Sequence, residues 1–161
     1  MTNQTDTKLL ILYCSLTGNT QRAAKTIQEL TDGDLIRIRQ HEPFPEAYED
    51  YMRVAKRQFE LQLLPIVDTA VPNLKEYDTI MIGYPTWWSQ PPMVIHSLFE
   101  KFDFTGKKII PFSTSSTSPY EDTEPIIKKL VEENHAEFIP GFRYDNDDVD
   151  LEKRLSEYGL L

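Results

Sequence analysis

The chain carries one cysteine, Cys14, in 161 residues. A lone thiol excludes an internal disulfide and any zinc or iron–sulfur centre built from several cysteines. Long apolar runs are missing as well. None approaches the ~20 residues that span a bilayer. The opening Met1-Thr2-Asn3-Gln4-Thr5-Asp6-Thr7 lacks the apolar core of a secretory leader. These absences give the expectation of a cytoplasmic protein with no membrane partner, whose residues 1–7 form a frayed N-terminus. Basic residues are the minority, 17 Lys and Arg against 26 Asp and Glu, for a net charge of −9. Nucleic acid wants a basic face, so it is not an expected partner. Acidity suits docking on a basic protein, and it also simply keeps a chain soluble. His41, His96 and His135 fall in separate segments, with neither metal-ligand spacing nor a nucleophile beside them. No catalytic residue and no metal site are expected.

What is present is the balance of a globular domain, 40% hydrophobic and 27% charged, and a single domain over residues 1–161 is expected. Apolar runs at Leu9–Cys14, Leu35–Ile38, Thr79–Tyr84, Lys108–Phe112 and Ala136–Ile139 read as strands. Between them lie helical stripes: Ala23, Ala24, Ile27 and Leu30, stopped at Gly33; a stretch over Pro45–Leu64, ended by Pro65; Ile95, Leu98, Phe99 and Phe102; and Ile126, Ile127, Leu130 and Val131, capped by Thr123 with Pro125 in the first turn. Leu151, Leu155 and Tyr158 predict a last helix, whose start is the acidic run Asp145 to Glu152. Strict alternation implies an α/β fold with a parallel, doubly wound sheet and helices on both faces. In such sheets ligands bind beyond the carboxyl ends of the strands.

Three loops leave strand ends there: Ser15–Thr20, Pro85–Pro92 and Ser113–Asp122. The first, Ser15-Leu16-Thr17-Gly18-Asn19-Thr20, gathers hydroxyl and amide side chains around one glycine before a helix. Such a turn can wrap a phosphate with backbone N–H groups, hydroxyls and the helix dipole. It also reads as an ordinary strand-to-helix turn with Thr17 or Asn19 as cap. It is neither a Walker loop nor a dinucleotide fingerprint. The second contains Trp87-Trp88; in an extended segment adjacent side chains face opposite ways, so one packs inward and the other, here Trp88, is expected in the cleft. Cys14 reads as a small core residue.

These loops, in this order, resemble the flavodoxins over nearly the whole chain. The first matches the family's Ser/Thr-x-Thr-Gly-x-Thr form at each defined position. Gly83-Tyr84-Pro85-Thr86-Trp87-Trp88, followed by Phe104-Thr105-Gly106-Lys107-Lys108, is similar to a short-chain branch with a Gly-Tyr-Pro-x-Trp-Trp loop. The resemblance implies a five-stranded sheet of order 2-1-3-4-5 with flavin mononucleotide (FMN) at the switch point. It implies that Ser15, Leu16, Thr17, Gly18, Asn19 and Thr20 hold the phosphate. Pro85, Thr86, Trp87, Trp88 and Ser89 would line the ring, and Ser113, Thr114, Ser115 and Tyr120 would meet its other edge. Tyr120 could stack on the ring or stand at the solvent edge. The third loop carries hydroxyls where many relatives have glycine, and Ser89 is the nearest small residue in a second loop without glycine.

The function implied is electron transfer between proteins, by a monomer docking transiently on a basic reductase. Two alternatives stand beside it. One is an FMN-dependent reductase passing electrons from a reduced nicotinamide to a quinone-type acceptor. The other is a flavin-free module that binds a different phosphorylated ligand.

Overall fold

The computed structural model describes residues 8–161, so the expectation for residues 1–7 lies outside the described residues. Three central strands follow the apolar runs: β1 (Leu9–Tyr13), β3 (Thr79–Pro85) and β4 (Lys108–Thr114). Their side chains are buried on both faces, which is why the runs are continuous rather than alternating. Short β2 (Asp34–Arg37) pairs with β1, and all pairings within the sheet are parallel. The order is β2-β1-β3-β4-β5, the doubly wound arrangement.

Leu10, Leu12, Ile80, Ile82 and Tyr84 face one side of the sheet, against α3 (Met93–Lys101) and α4 (Glu124–Glu133). Leu9, Ile11, Met81, Ile110 and Phe112 face the other, against α1 (Asn19–Thr31) and α5 (Asp148–Glu157). A further helix, α2 (Tyr48–Leu61), lies in the long β2–β3 connection. No helix among the described residues is long and apolar enough to cross a membrane.

Several boundaries move for identifiable reasons. The expected strand Ala136–Ile139 shortens to β5 (Glu137–Phe138), and an unexpected second piece, β6 (Phe142–Arg143), follows it; the two pair with opposite ends of β4. Between them Gly141 presses on the Pro111 carbonyl so closely that a Cβ there would lie 1.9 Å from the oxygen. α1 is capped one residue before its expected glycine: Asp32 takes the left-handed cap at φ 59°. Gly33 serves instead to clear the Leu9 backbone, 3.2 Å from where its Cβ would stand. α2 stops at Leu61 with Gln62 left-handed, before Pro65 is reached. Thr123 holds the N-cap position of α4, but its hydroxyl turns inward to Tyr84 Oη (2.8 Å) and the Tyr120 carbonyl (3.0 Å). The acidic start of α5 is a true cap: the Asp147 carboxylate accepts from the Asp150 N–H at 3.0 Å.

Candidate functional site

The β1–α1 turn is a cradle of free donors. Gly18 adopts φ 99°, a left-handed conformation in open space, and this lets the chain swing directly into the helix. The Arg22 N–H closes the first helical turn on the Gly18 carbonyl (3.0 Å), and the Gln21 N–H donates to Ser15 Oγ (3.3 Å). The N–H groups of Leu16, Thr17, Gly18, Asn19 and Thr20 meet no acceptor among the described residues. Consecutive unpaired donors at the positive end of a helix form a place for an anion. Thr17 and Asn19 stand exposed at its rim, with Asn19 Nδ2 donating to Thr17 Oγ1 at 3.4 Å.

The three loops do converge. Thr20 is 1% exposed, and its Oγ1 lies 2.7 Å from Thr114 Oγ1, joining the first loop to the third. The Thr86 N–H donates to the Thr114 carbonyl at 2.9 Å, joining the second to the third. Around this junction the Thr86 and Ser113 hydroxyls are buried and unpartnered among the described residues. Arg143 reaches from β6 to the Ser116 carbonyl (3.1 Å), and Ser115 Oγ donates to the Ser118 carbonyl. These contacts set the path of the glycine-free third loop.

A cavity of about 550 Å³ opens on the β2 side of the cradle. That is ample for a mononucleotide-sized ligand, since small-molecule sites run from about 300 to 1,000 Å³. Leu16, Ile38, Phe44, Pro85 and Trp87 supply its apolar wall, and Arg37, Arg39, Glu46 and Asp68 its charged ones, with His41 beside them. The third loop contributes nothing to these walls. Ser113, Thr114 and Tyr120 are buried in the protein, so Tyr120, 4% exposed, stands neither in an open cleft nor at a solvent edge. Its hydroxyl points toward Gly141 and Glu124 without closing a hydrogen bond, and burial holds its pKa far above the phenol value.

Neither tryptophan takes its expected role. Trp87 lines the cavity, edge-on to Phe44 with ring centroids 5.7 Å apart. Trp88 leaves it and stacks on Phe59 of α2 at 5.3 Å, still 36% exposed. The cause is a tight turn. Trp87 and Gln90 exchange both backbone hydrogen bonds, at 3.0 and 3.2 Å, and Trp88 and Ser89 have φ of 51° and 62°. Two successive left-handed residues make a type I′ hairpin turn, and extended alternation does not apply inside it.

Sequence reasoning missed the charged wall. Arg37 ends β2, and Arg39, Gln40, His41 and Asp68 come from a short antiparallel contact, Gln40 against Val67, inside the β2–β3 connection. The His41 N–H donates to the Ile66 carbonyl (2.7 Å) and the Asp68 N–H to the Arg39 carbonyl (2.9 Å). His41 Nδ1 lies 3.3 Å from the Asp68 carboxylate, both exposed. Cys14 directly follows β1 as the core residue expected, and burial pushes its thiol pKa up to about 12. Among the described residues no group of three or more His, Cys, Asp or Glu could hold a metal ion.

A family model described as flavodoxin matches residues 8–151. A flavodoxin of Synechocystis sp. is 23% identical over 169 residues, covering 96% of this chain and 83% of that protein. Among solved structures, a Bacteroides eggerthii protein described as a flavoprotein superposes with a TM-score of 0.84 at 26% identity, covering 94% and 98% of the two chains. A Lactobacillus acidophilus flavoprotein, solved in complex with FMN, gives 0.75 at 24% identity, covering 91% and 99%.

Proposed function

The chain belongs to the flavodoxin family, and from that premise we propose that it binds one FMN at the β1–α1 turn and carries electrons between redox proteins. The observation that carries the reading is the run of five N–H groups, Leu16 to Thr20, unpaired among the described residues, beside an aromatic-walled cavity. The residues present fit the group. An anion of two charges finds unpaired donors and a helix dipole, and Leu16, Pro85 and Trp87 offer a flat apolar surface next to them. When bound, FMN would supply the one- and two-electron redox chemistry.

The protein's own part is to hold and to shield. Ser15 and Thr17 sit where their hydroxyls supplement the N–H donors. Thr20 and Thr114 lock the first and third loops together, and Thr86 fastens the second to them. Trp87 and Phe44 keep water from one side of the cavity. The acidic surface suits brief docking on a basic reductase, where charge attraction raises the encounter rate.

Titration of apoprotein with FMN tests the first half of the proposal: saturable binding with quenched flavin fluorescence is expected, one per chain. No quenching at micromolar protein would leave the flavin-free reading. The second half is tested by reduction of the loaded protein. Reduced nicotinamide alone should act slowly, and a basic ferredoxin-reductase-type protein should speed it, less so as salt rises. Fast direct reduction, with a quinone as efficient acceptor, would instead mark a two-electron reductase.

A further inference from the structure

Arg37 stands at the last position of β2, in register with Tyr13 at the end of β1. From there its guanidinium reaches the first residue of the cradle and donates to the Ser15 carbonyl at 2.6 Å. A trans peptide is planar, with its carbonyl and its N–H on opposite sides. Holding the Ser15 oxygen toward β2 therefore fixes the Leu16 N–H pointing the other way. That N–H is the first of the five unpaired donors.

Two further observations set Arg37 apart from an ordinary structural arginine. No carboxylate forms an ion pair with it among the described residues, and one of its five N–H donors is the only one engaged there. Its charge is thus left at the base of the loop, where it opposes the effect of burial on the neighbouring Cys14 thiol. Its side chain also lines the cavity that begins at Ser15 and Leu16. A loop that contains no cation of its own has one fastened to its first carbonyl.

We infer that Arg37 is a positioning residue of the anion cradle: it orients the Ser15–Leu16 peptide toward the ligand's phosphate and lends the loop a fixed positive charge. The inference rests on the FMN reading for the identity of the ligand, though not for the anion. It makes Arg37 a determinant of selectivity for a phosphorylated flavin over the same flavin without its phosphate. A residue that merely supported the fold would weaken both alike.

The test compares wild type, Arg37→Met and Arg37→Lys. Met fills similar space without donor or charge, and Lys restores both. FMN and riboflavin are titrated against each apoprotein. In parallel, the Leu16 amide resonance is followed while inorganic phosphate is added. R37M should lose about ten- to a hundredfold in FMN affinity with riboflavin changed by less than about twofold, and R37K should recover most of the loss. The Leu16 amide should shift with phosphate in wild type and R37K, and stay still in R37M. Equal losses for the two flavins, or an unaltered FMN affinity in R37M, would overturn the inference. If wild type bound neither flavin, the FMN reading would fall while the phosphate arm still decided the part played by Arg37. Should R37M fail to fold, R37K carries the test: it must keep the preference for FMN.

Discussion

Thr20 Oγ1 and Thr114 Oγ1 meet at 2.7 Å inside the protein, though 94 residues separate them in sequence. One of the two hydroxyls is the donor. Its proton is committed, and only the other hydroxyl has a hydrogen to offer a ligand. This pair is as much a seam between loops as a part of the ligand site. Thr20→Val leaves the buried Thr114 hydroxyl unpaired and should destabilise the apoprotein by about 1–3 kcal/mol. Thr114→Val should cost a similar amount. The double variant should cost clearly less than the sum of the two, as read from denaturant unfolding, because the second change removes the orphan that the first created. Strict additivity would mean that the two hydroxyls do not depend on each other.

Thr17 gives the contrasting case. It is exposed at the rim and anchors nothing but a long bond from Asn19. Thr17→Val should leave the unfolding midpoint in place. FMN affinity should fall about tenfold or more, with riboflavin unaffected, if the hydroxyl donates to the phosphate. Isothermal titration with both ligands decides it.

Two glycines should respond very differently to alanine. At Gly141 an added Cβ would sit 1.9 Å from a backbone oxygen, which has no rotamer to escape into. Gly141→Ala should cost about 3 kcal/mol, at the upper end of overpacking penalties, and should loosen β6. At Gly18 nothing stands within 4 Å, so the cost is only that of a left-handed backbone, roughly 1–2 kcal/mol. Chemical denaturation of the two variants tests the ranking.

His96 links stability to mild acid. Its Nε2 is buried without a partner, and burial lowers its pKa below the ordinary 6.5, against the weaker upward pull of the Pro91 carbonyl. Below pH 6.5 the unfolded chain takes up a proton that the folded one refuses. Stability should therefore be fully present above pH 6.5 and fall as pH drops from there through the folded-state value. His96→Leu should flatten that slope in urea midpoints measured between about pH 7 and pH 5. An unchanged slope would place the acid sensitivity elsewhere.

Cys14 should be silent in the native protein. With its thiol 7% exposed and its pKa pushed up to about 12, almost no thiolate is present near neutrality. A disulfide reagent such as Ellman's should label it only as fast as the protein unfolds. Rapid labelling at pH 8 in native buffer would contradict the burial.

How far the sequence reveals this arrangement depends on what holds each piece. β1, β3 and β4 are central strands sealed on both faces, so runs such as Leu9-Leu10-Ile11-Leu12 identify them without help from the rest of the chain. The free donors of the first loop are equally local: they follow from Gly18 and a helix start. The misplaced tryptophan is a failure of a local rule, because Trp88 and Ser89 enter left-handed backbone that side chains ordinarily avoid. The break at Gly141 and the charged wall of Arg37, Arg39 and His41 are different. Each depends on a distant segment, Pro111 in one case and residues 66–69 in the other, and no periodicity marks such a meeting.

The interrupted edge of the sheet has a colloidal consequence. The hazard for any open sheet is an edge on which another chain can add a strand. On the β5–β6 side that edge comes in two-residue pieces, separated by Ile139, Pro140 and Gly141. Proline offers no N–H there, and the break between β5 and β6 interrupts the straight ladder that a docking strand would need. The opposite edge, β2, is only four residues long and bears Asp34 and Arg37. Neither edge offers a long, regular ladder, so the packing that costs this chain a continuous fifth strand also shortens the template on which a second molecule could add.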